Sequence, residues 1–257
     1  MKDRNVYEQI RVNAVQAKEG ITHLTQVTSQ RGGNRHYVMP SGEKLVSVTS
    51  VLKVFPKPAL VNWASKVTRD TMTEFLLEHR GKEITTGLIA DADAVAKGSH
   101  NRKRDEAGAV GSQCHDIISK WLLGELPEIP SELTKTMKGF QKWYTDERLT
   151  LIDSEACLYS DRYAGSMDAL FHRENGHMLL VDFKTSNNIY LEHKVQAVAY
   201  TSAIEAYTTT PIDIMIVKLD RSGEEYETHE ILLDEKAYLR DIWRTAREFH
   251  SALENLS

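Results

Sequence analysis

The chain has 257 residues, 41% of them hydrophobic and 27% charged, with a formal net charge of −5 and two cysteines. That length suits one large globular domain or two small ones, and the composition excludes a disordered, collagen-like or coiled-coil chain. No apolar run approaches the roughly 18–20 residues of a membrane span, and the charged start MKDRNVYEQI lacks the apolar stretch of a secretory signal, so a cytoplasmic protein is expected.

Residues 1–40 read as polar and irregular, with six basic residues (Lys2, Arg4, Arg11, Lys18, Arg31, Arg35) against three acids (Asp3, Glu8, Glu19). Gly32-Gly33 and Met39-Pro40-Ser41-Gly42 read as turns. Leu45–Val48 reads as a short strand. Ser47 or Thr49 is placed to cap a helix running towards Phe55, which Pro56 and Pro58 end. Helical spacing returns over Ala59–Leu77, with Leu60, Trp63, Val67, Phe75 and Leu76 as apolar positions. Residues 81–105 are Gly-punctuated, Ala-rich and charged, a pattern of helix plus loop. Within them Lys97, Arg102, Lys103 and Arg104 occur with no acid between Lys97 and Arg104. The chain as a whole does not advertise phosphate affinity, but such a cluster can supply it. Ala109–Leu123 is an amphipathic helix with Ile117, Ile118, Trp121 and Leu122 on its core face, closed by Gly124. Leu133–Arg148 is another helix.

The period then changes to two. Ser154–Ser160 and Tyr163–Phe171 read as strands joined near Asp161-Arg162, and His177–Lys184 is a third, entered through Glu174-Asn175-Gly176. Leu191–Tyr207 reads as a helix. Ile212–Leu219 and Glu225–Leu232 are strands on either side of Ser222-Gly223, and Asp234–Leu253 is a final amphipathic helix. Helices followed by β-β-β-α-β-β-α imply a helical first half packed on one α/β core.

Residues two apart on a strand share a face, so Asp182 and Lys184 sit side by side at the end of the apolar strand Met178-Leu179-Leu180-Val181. A carboxylate there can hold a hard divalent cation, and an ammonium beside it can offset charge building on a phosphate. Two other acid-x-Lys triplets, Glu192/Lys194 and Asp234/Lys236, fall in helical patterns, where i and i+2 do not face each other. Asp168 lies one strand earlier, after Gly165, and can reach the same cation. Gln196 and Tyr200 share a face of the next helix, four residues apart, with small residues between them that let the helix press on the sheet. His115 shares a face with Ile118 and Leu122, and Glu155 opens the first strand. Taken singly, each has an ordinary structural reading: a solvated strand-end acid, a core tyrosine, a satisfied core histidine, an ion-pair partner.

Together, Gly111-xxx-His115, Glu155, Gly165-xx-Asp168, Asp182-x-Lys184 and Gln196-xxx-Tyr200 stand in an order and spacing that resembles the RecB-like exonuclease branch of the PD-(D/E)XK nuclease superfamily. The resemblance covers roughly residues 109–205, with the segment Ser47–Trp63 similar to that branch's helical lead-in. It implies a restriction-endonuclease-like α/β core at 109–257, with a central mixed sheet flanked by helices, and residues 1–108 as a helical wall or arch over the site. It implies one or two Mg²⁺ or Mn²⁺ ions held by His115, Asp168, Asp182 and the Phe183 carbonyl. Lys184 would position and activate water, Gln196 and Tyr200 would form an accessory motif at the site that also contacts DNA, and Glu155 would match an acidic position there. Several members carry an iron–sulfur cluster on four cysteines, which Cys114 and Cys157 cannot supply.

The implied activity is metal-dependent hydrolysis of DNA phosphodiesters from single-stranded ends, in replication, recombination or repair. A phage or bacterial setting is implied, with separate protein partners and no membrane. Lys97, Arg102, Lys103 and Arg104 would track the backbone, and Trp63 or Tyr37 would stack on bases. A structure-specific endonuclease on the same core, a non-catalytic DNA-end-binding module and a hydrolase of small phosphate esters remain as alternatives.

Overall fold

The computed structural model describes residues 23–27, 34–39, 42–160, 162–206 and 208–256. The Gly32-Gly33 turn, the basic residues Lys2, Arg4, Arg11, Lys18 and Arg31, and Asp161 and Tyr207 lie outside the described residues.

The first correction concerns the first forty residues. Strands β1 (His23–Val27), β2 (Asn34–Val38) and β3 (Lys44–Ser47) pair in sequence as an antiparallel meander. Gly42 adopts φ +83° in the β2–β3 turn, and its N–H donates to the Met39 carbonyl at 2.8 Å. Ser47 then caps the short helix α1 (Val48–Val51): its hydroxyl accepts from Ser50 N at 3.1 Å, which satisfies an otherwise orphaned donor. One turn of 3₁₀-helix, Leu52–Val54, ends before Pro56, as the prolines require.

The chain divides into two compact units, residues 56–113 and residues 1–55 with 114–257. The smaller unit holds α2 (Pro58–Glu78) and α3 (Thr86–Ala96), which pack on each other. Helix α4 (Ser99–Leu122) begins in this unit and runs on into the larger one; it starts ten residues before the expected Ala109 because His100–Ala107 continue the helix on an exposed, charged surface.

In the larger unit follow α5 (Thr134–Glu147), β4 (Thr150–Ser154), β5 (Cys157–Tyr159), β6 (Tyr163–Ser166), β7 (Ala169–His172), β8 (Met178–Lys184), α6 (Leu191–Glu205), β9 (Ile212–Leu219), β10 (Tyr226–Glu230) and α7 (Leu233–Asn255). The expected single central sheet is instead two five-stranded mixed sheets, β1-β2-β3-β6-β5 and β10-β9-β8-β7-β4. The parallel pairs are β3 with β6 and β8 with β9. Helix α6 supplies the crossover that a parallel β8–β9 pair needs.

The two strands expected at Ser154–Ser160 and Tyr163–Phe171 form one long hairpin that bends from sheet to sheet. Its outer half is β4 on β7 and its tip is β5 on β6. The register runs unbroken through the bend, from Ser154↔Ala169 to Cys157↔Ser166, so Glu155 falls opposite Asp168. Hydrogen bonds from Glu155 N to Asp168 O (2.9 Å) and from Met167 N to Ala156 O (3.0 Å) carry the ladder across. Glu155 bends by taking φ +53°, a left-handed conformation unusual for a side chain of its size.

Alternation along β7 and β8 sorts their residues to two faces. Phe171 and Phe183 enter an aromatic cluster with Phe140 and Trp143 of α5, with centroids 5.2–5.9 Å apart. Leu170, Met178 and Leu180 face the other core, against the buried Val195, Val198 and Ala199 of α6. Asp168, Asp182 and Lys184 continue that second face past its apolar end.

Helix α6 sits so close to the hairpin that a Cβ at Gly165 would lie 2.5 Å from Tyr200 Cε1. Tyr200 is 3% exposed, so its ring has little room to retreat. Gly165→Ala is expected to cost about 1–3 kcal/mol in denaturant unfolding, with part of the loss recovered in the Gly165→Ala/Tyr200→Ala double variant. A cost below about 0.5 kcal/mol would show that the ring is not held against the strand.

Candidate metal centre

Three side chains from three elements converge at the bend. His115 comes from α4, Glu155 from the β4–β5 turn and Asp168 from the β6–β7 turn, and their ligating atoms lie within 4.8 Å of one another. His115 Nδ1 is 3.1 Å from Asp168 Oδ1. Asp168 Oδ2 accepts from Phe183 N at 2.7 Å. Ser166 Oγ donates within reach of both the Glu155 carbonyl (3.1 Å) and Glu155 Oε2 (3.2 Å), which fixes the carboxylate relative to its own backbone.

Helix α4 is held on this side by its core residues. Cys114, Ile117 and Ile118 are buried, Trp121 packs edge-on to Phe140 and Tyr144 of α5, and Ser119 Oγ meets Ser154 Oγ at 3.0 Å. The amphipathic spacing that makes a helix here therefore also aims His115 at Asp168.

Asp182 lies one step further across the row. The β7–β8 register, Ala169↔Val181, brings Asp168 opposite Asp182. Asp182 is 1% exposed and lies outside the close group of three. Lys184 Nζ pairs with Asp182 Oδ2 at 2.7 Å, and Asp182 Oδ1 is buried with no hydrogen-bond partner among the described residues. A buried carboxylate with one oxygen still unpartnered is a group that a cation would satisfy.

The charges interlock. Burial pushes Asp182 up to about 6, Asp168 adds to the rise, and Lys184 only partly offsets it. Burial also disfavours the charge on Asp168, yet His115, Lys184 and the Phe183 N–H together hold that carboxyl below its usual value. His115 is raised, first by Asp168, against the opposing effect of its own burial. Burial would lower Lys184, but Asp182 and Asp168 keep it above the ordinary lysine value, so it stays an ammonium.

Two carboxylates with one imidazole suit Mg²⁺ or Mn²⁺, with the imidazole favouring the softer Mn²⁺. Asp168 favours the protonated imidazole of His115, whereas a cation binds the neutral ring, so binding would release protons near neutral pH.

Of the expected ligands, His115 and Asp168 stand in the group of three, joined by Glu155, whereas Asp182 sits beside it on Lys184. Phe183 gives its N–H to Asp168 and its ring to the aromatic cluster. Gln196 Nε2 donates to Tyr200 Oη at 2.9 Å, and burial holds the Tyr200 hydroxyl well above the usual phenol range, with Asp182 and Asp168 adding to the rise. Ser166 is the residue the sequence pattern gave no reason to single out. Tyr37 is 6% exposed and packs with Leu45, Cys157 and Ala164, a core residue rather than a stacking platform.

Lys97, Arg102, Lys103 and Arg104 belong to the smaller unit. Arg102 donates to the carbonyls of Val95 (2.6 Å) and Lys97 (3.0 Å) at the end of α3, and Arg104 pairs with the adjacent Asp105. No helix among the described residues is long and apolar enough to cross a membrane.

No family profile and no curated protein matches the chain. Among solved structures it is similar to one from Eubacterium rectale named "Putative exonuclease", with 8% identity, 56% of this chain and 67% of that one covered, and a TM-score of 0.43. It is also similar to SSO0001, with 15% identity, 99% and 87% covered, and a TM-score of 0.31. Both likenesses are remote, and the side chains at the bend are the ground for a functional reading.

Because the folded-state pKa of Asp182 lies above its ordinary value of 3.8, its ionisation opposes folding. That cost is absent below about pH 4 and complete above about pH 6. In EDTA, the stability of Asp182→Asn relative to the parent should therefore rise by about 1–3 kcal/mol between pH 4 and pH 7. A difference that is flat across this range would show that Asp182 titrates normally.

Proposed function

We propose that this chain is a metal-dependent nuclease that hydrolyses DNA phosphodiesters, acting from single-stranded ends. The observation that carries the reading is the convergence of His115, Glu155 and Asp168 within 4.8 Å, beside a buried Asp182–Lys184 pair. Its agreement with the ligand and lysine positions of RecB-like nucleases adds to it.

His115, Glu155 and Asp168 would hold Mg²⁺ or Mn²⁺, with Asp182 and the Phe183 carbonyl as further oxygen donors at the same edge. When bound, such a cation supplies positive charge against the charge developing on the phosphate in the transition state. Asp182 and Asp168 hold Lys184 as an ammonium in the metal-free chain. Its part is to orient water through its N–H donors and to add positive charge near the phosphate oxygens. Asp182 holds the ammonium in place. The Tyr200 hydroxyl stays protonated, fixed by Gln196, and can donate to a phosphate oxygen. Ser166 keeps Glu155 turned inward. Lys97, Lys103 and their basic neighbours are proposed to contact the substrate backbone.

The test uses linear single-stranded DNA labelled at either end, with a circular control, in Mg²⁺, Mn²⁺ or EDTA. Linear DNA should be degraded only with metal, circular DNA should survive, and Lys184→Ala should lower the rate by about 10²–10³-fold. Cutting of the circle would assign an endonuclease instead. Binding without cleavage under either metal would overturn the enzymatic reading.

A further inference from the structure

A cavity of about 620 Å³ lies on the larger unit, lined by residues of β2, β3 and α1, by Arg162 before β6, and by the last turns of α7. None of its lining residues belongs to the candidate metal centre. Its walls are mixed: Leu45, Val46, Val51 and Ala252 give an apolar floor, and Lys44, Arg162 and Arg247 give three cations.

Arg247 is the distinctive member. Its guanidinium carbon lies 5.5 Å from the Tyr163 ring centroid and 6.0 Å from that of Trp243. Those rings are themselves fixed, packed edge-to-face at 4.9 Å, with the Tyr163 hydroxyl donating to the Ala199 carbonyl at 2.8 Å. The guanidinium thus lies beside two fixed rings. It makes no hydrogen bond or ion pair among the described residues, and its Nε is buried without a partner. A ligand oxygen at this edge would satisfy the buried Nε–H.

The neighbouring acid is already engaged. Glu254 Oε1 lies 3.8 Å from His36 Nε2 and its Oε2 lies 3.6 Å from His250 Nδ1. His36 Nδ1 is a second buried nitrogen with no hydrogen-bond partner. Glu43 and Glu248 are exposed.

A guanidinium fork matches the oxygens of a phosphoryl group two at a time. The remaining volume and the apolar floor call for a body larger than the anion itself, in the size range of small-molecule sites. We propose that this cavity binds a mononucleotide-class ligand, with its phosphoryl group on Arg247 and Arg162 and its base over Leu45, Val46 and Val51. This site is separate from the metal centre and does not depend on the chain being a nuclease.

Calorimetric titration of the full chain in EDTA with dAMP, inorganic phosphate and deoxyadenosine tests it. Binding of dAMP is expected, at least tenfold weaker for either of the other two probes. Arg247→Met, which keeps the stem over the rings, should weaken dAMP binding at least tenfold, Arg247→Lys should lose less, and Lys184→Ala should bind as the parent does. Absence of dAMP binding at millimolar concentration, or binding that Lys184→Ala abolishes and Arg247→Met leaves intact, would overturn the assignment. Equal affinity for inorganic phosphate would overturn the mononucleotide class.

Discussion

Glu155, Asp168 and Asp182 lie in one transverse row, and the rest of the larger unit is arranged around the repulsion this creates. Three carboxyl groups in register across adjacent strands, one of them buried, are unfavourable without positive charge. Lys184 answers Asp182 from the same strand face, His115 answers Asp168 from a helix, and the Phe183 N–H answers the other Asp168 oxygen. Ser166 holds the third carboxyl in place. None of these removes the negative character of the row, which is what the proposed divalent cation would answer.

The bend that builds the row has its own cost. Glu155 sits at φ +53°, and a left-handed non-glycine residue carries of order 1–3 kcal/mol of strain. The pairing that runs in register from Ser154↔Ala169 to Cys157↔Ser166 holds it there. Gly165 lets Tyr200 approach where any side chain would collide, which brings the Gln196–Tyr200 pair to the same edge. Strain, buried charge and a missing Cβ thus gather within a few residues, as they do where function rather than stability has set the sequence.

Much of this was legible in the residues. The Ser47 cap, the strand ending in Asp182-x-Lys184 and the helix carrying Gln196 and Tyr200 follow from period and turn chemistry. The pairing of Glu155 with Asp168 was also within reach: reflection about the expected turn at Asp161-Arg162 places them opposite each other. The sheet switch at Glu155 leaves no mark in an alternating pattern. Strands β1 and β2 were hidden for a different reason, whereas β3 falls on the short strand expected at Leu45–Val48. They are short and polar, and they gain their place by pairing with one another and, through β3, with β6, a long-range contact that local propensity does not encode. The donation of Arg102 to two carbonyls at the end of α3 is a local role that charge clustering does not reveal.

The central claim is that His115, Glu155 and Asp168 together hold a divalent cation. Mn²⁺ titration of the metal-free protein, followed by calorimetry in buffers of different ionisation enthalpy, tests it most directly. The account predicts binding that releases protons near neutral pH, and at least tenfold weaker affinity in Glu155→Gln and in His115→Ala. Parent-like Mn²⁺ affinity in both variants, or binding with no proton release, would contradict it.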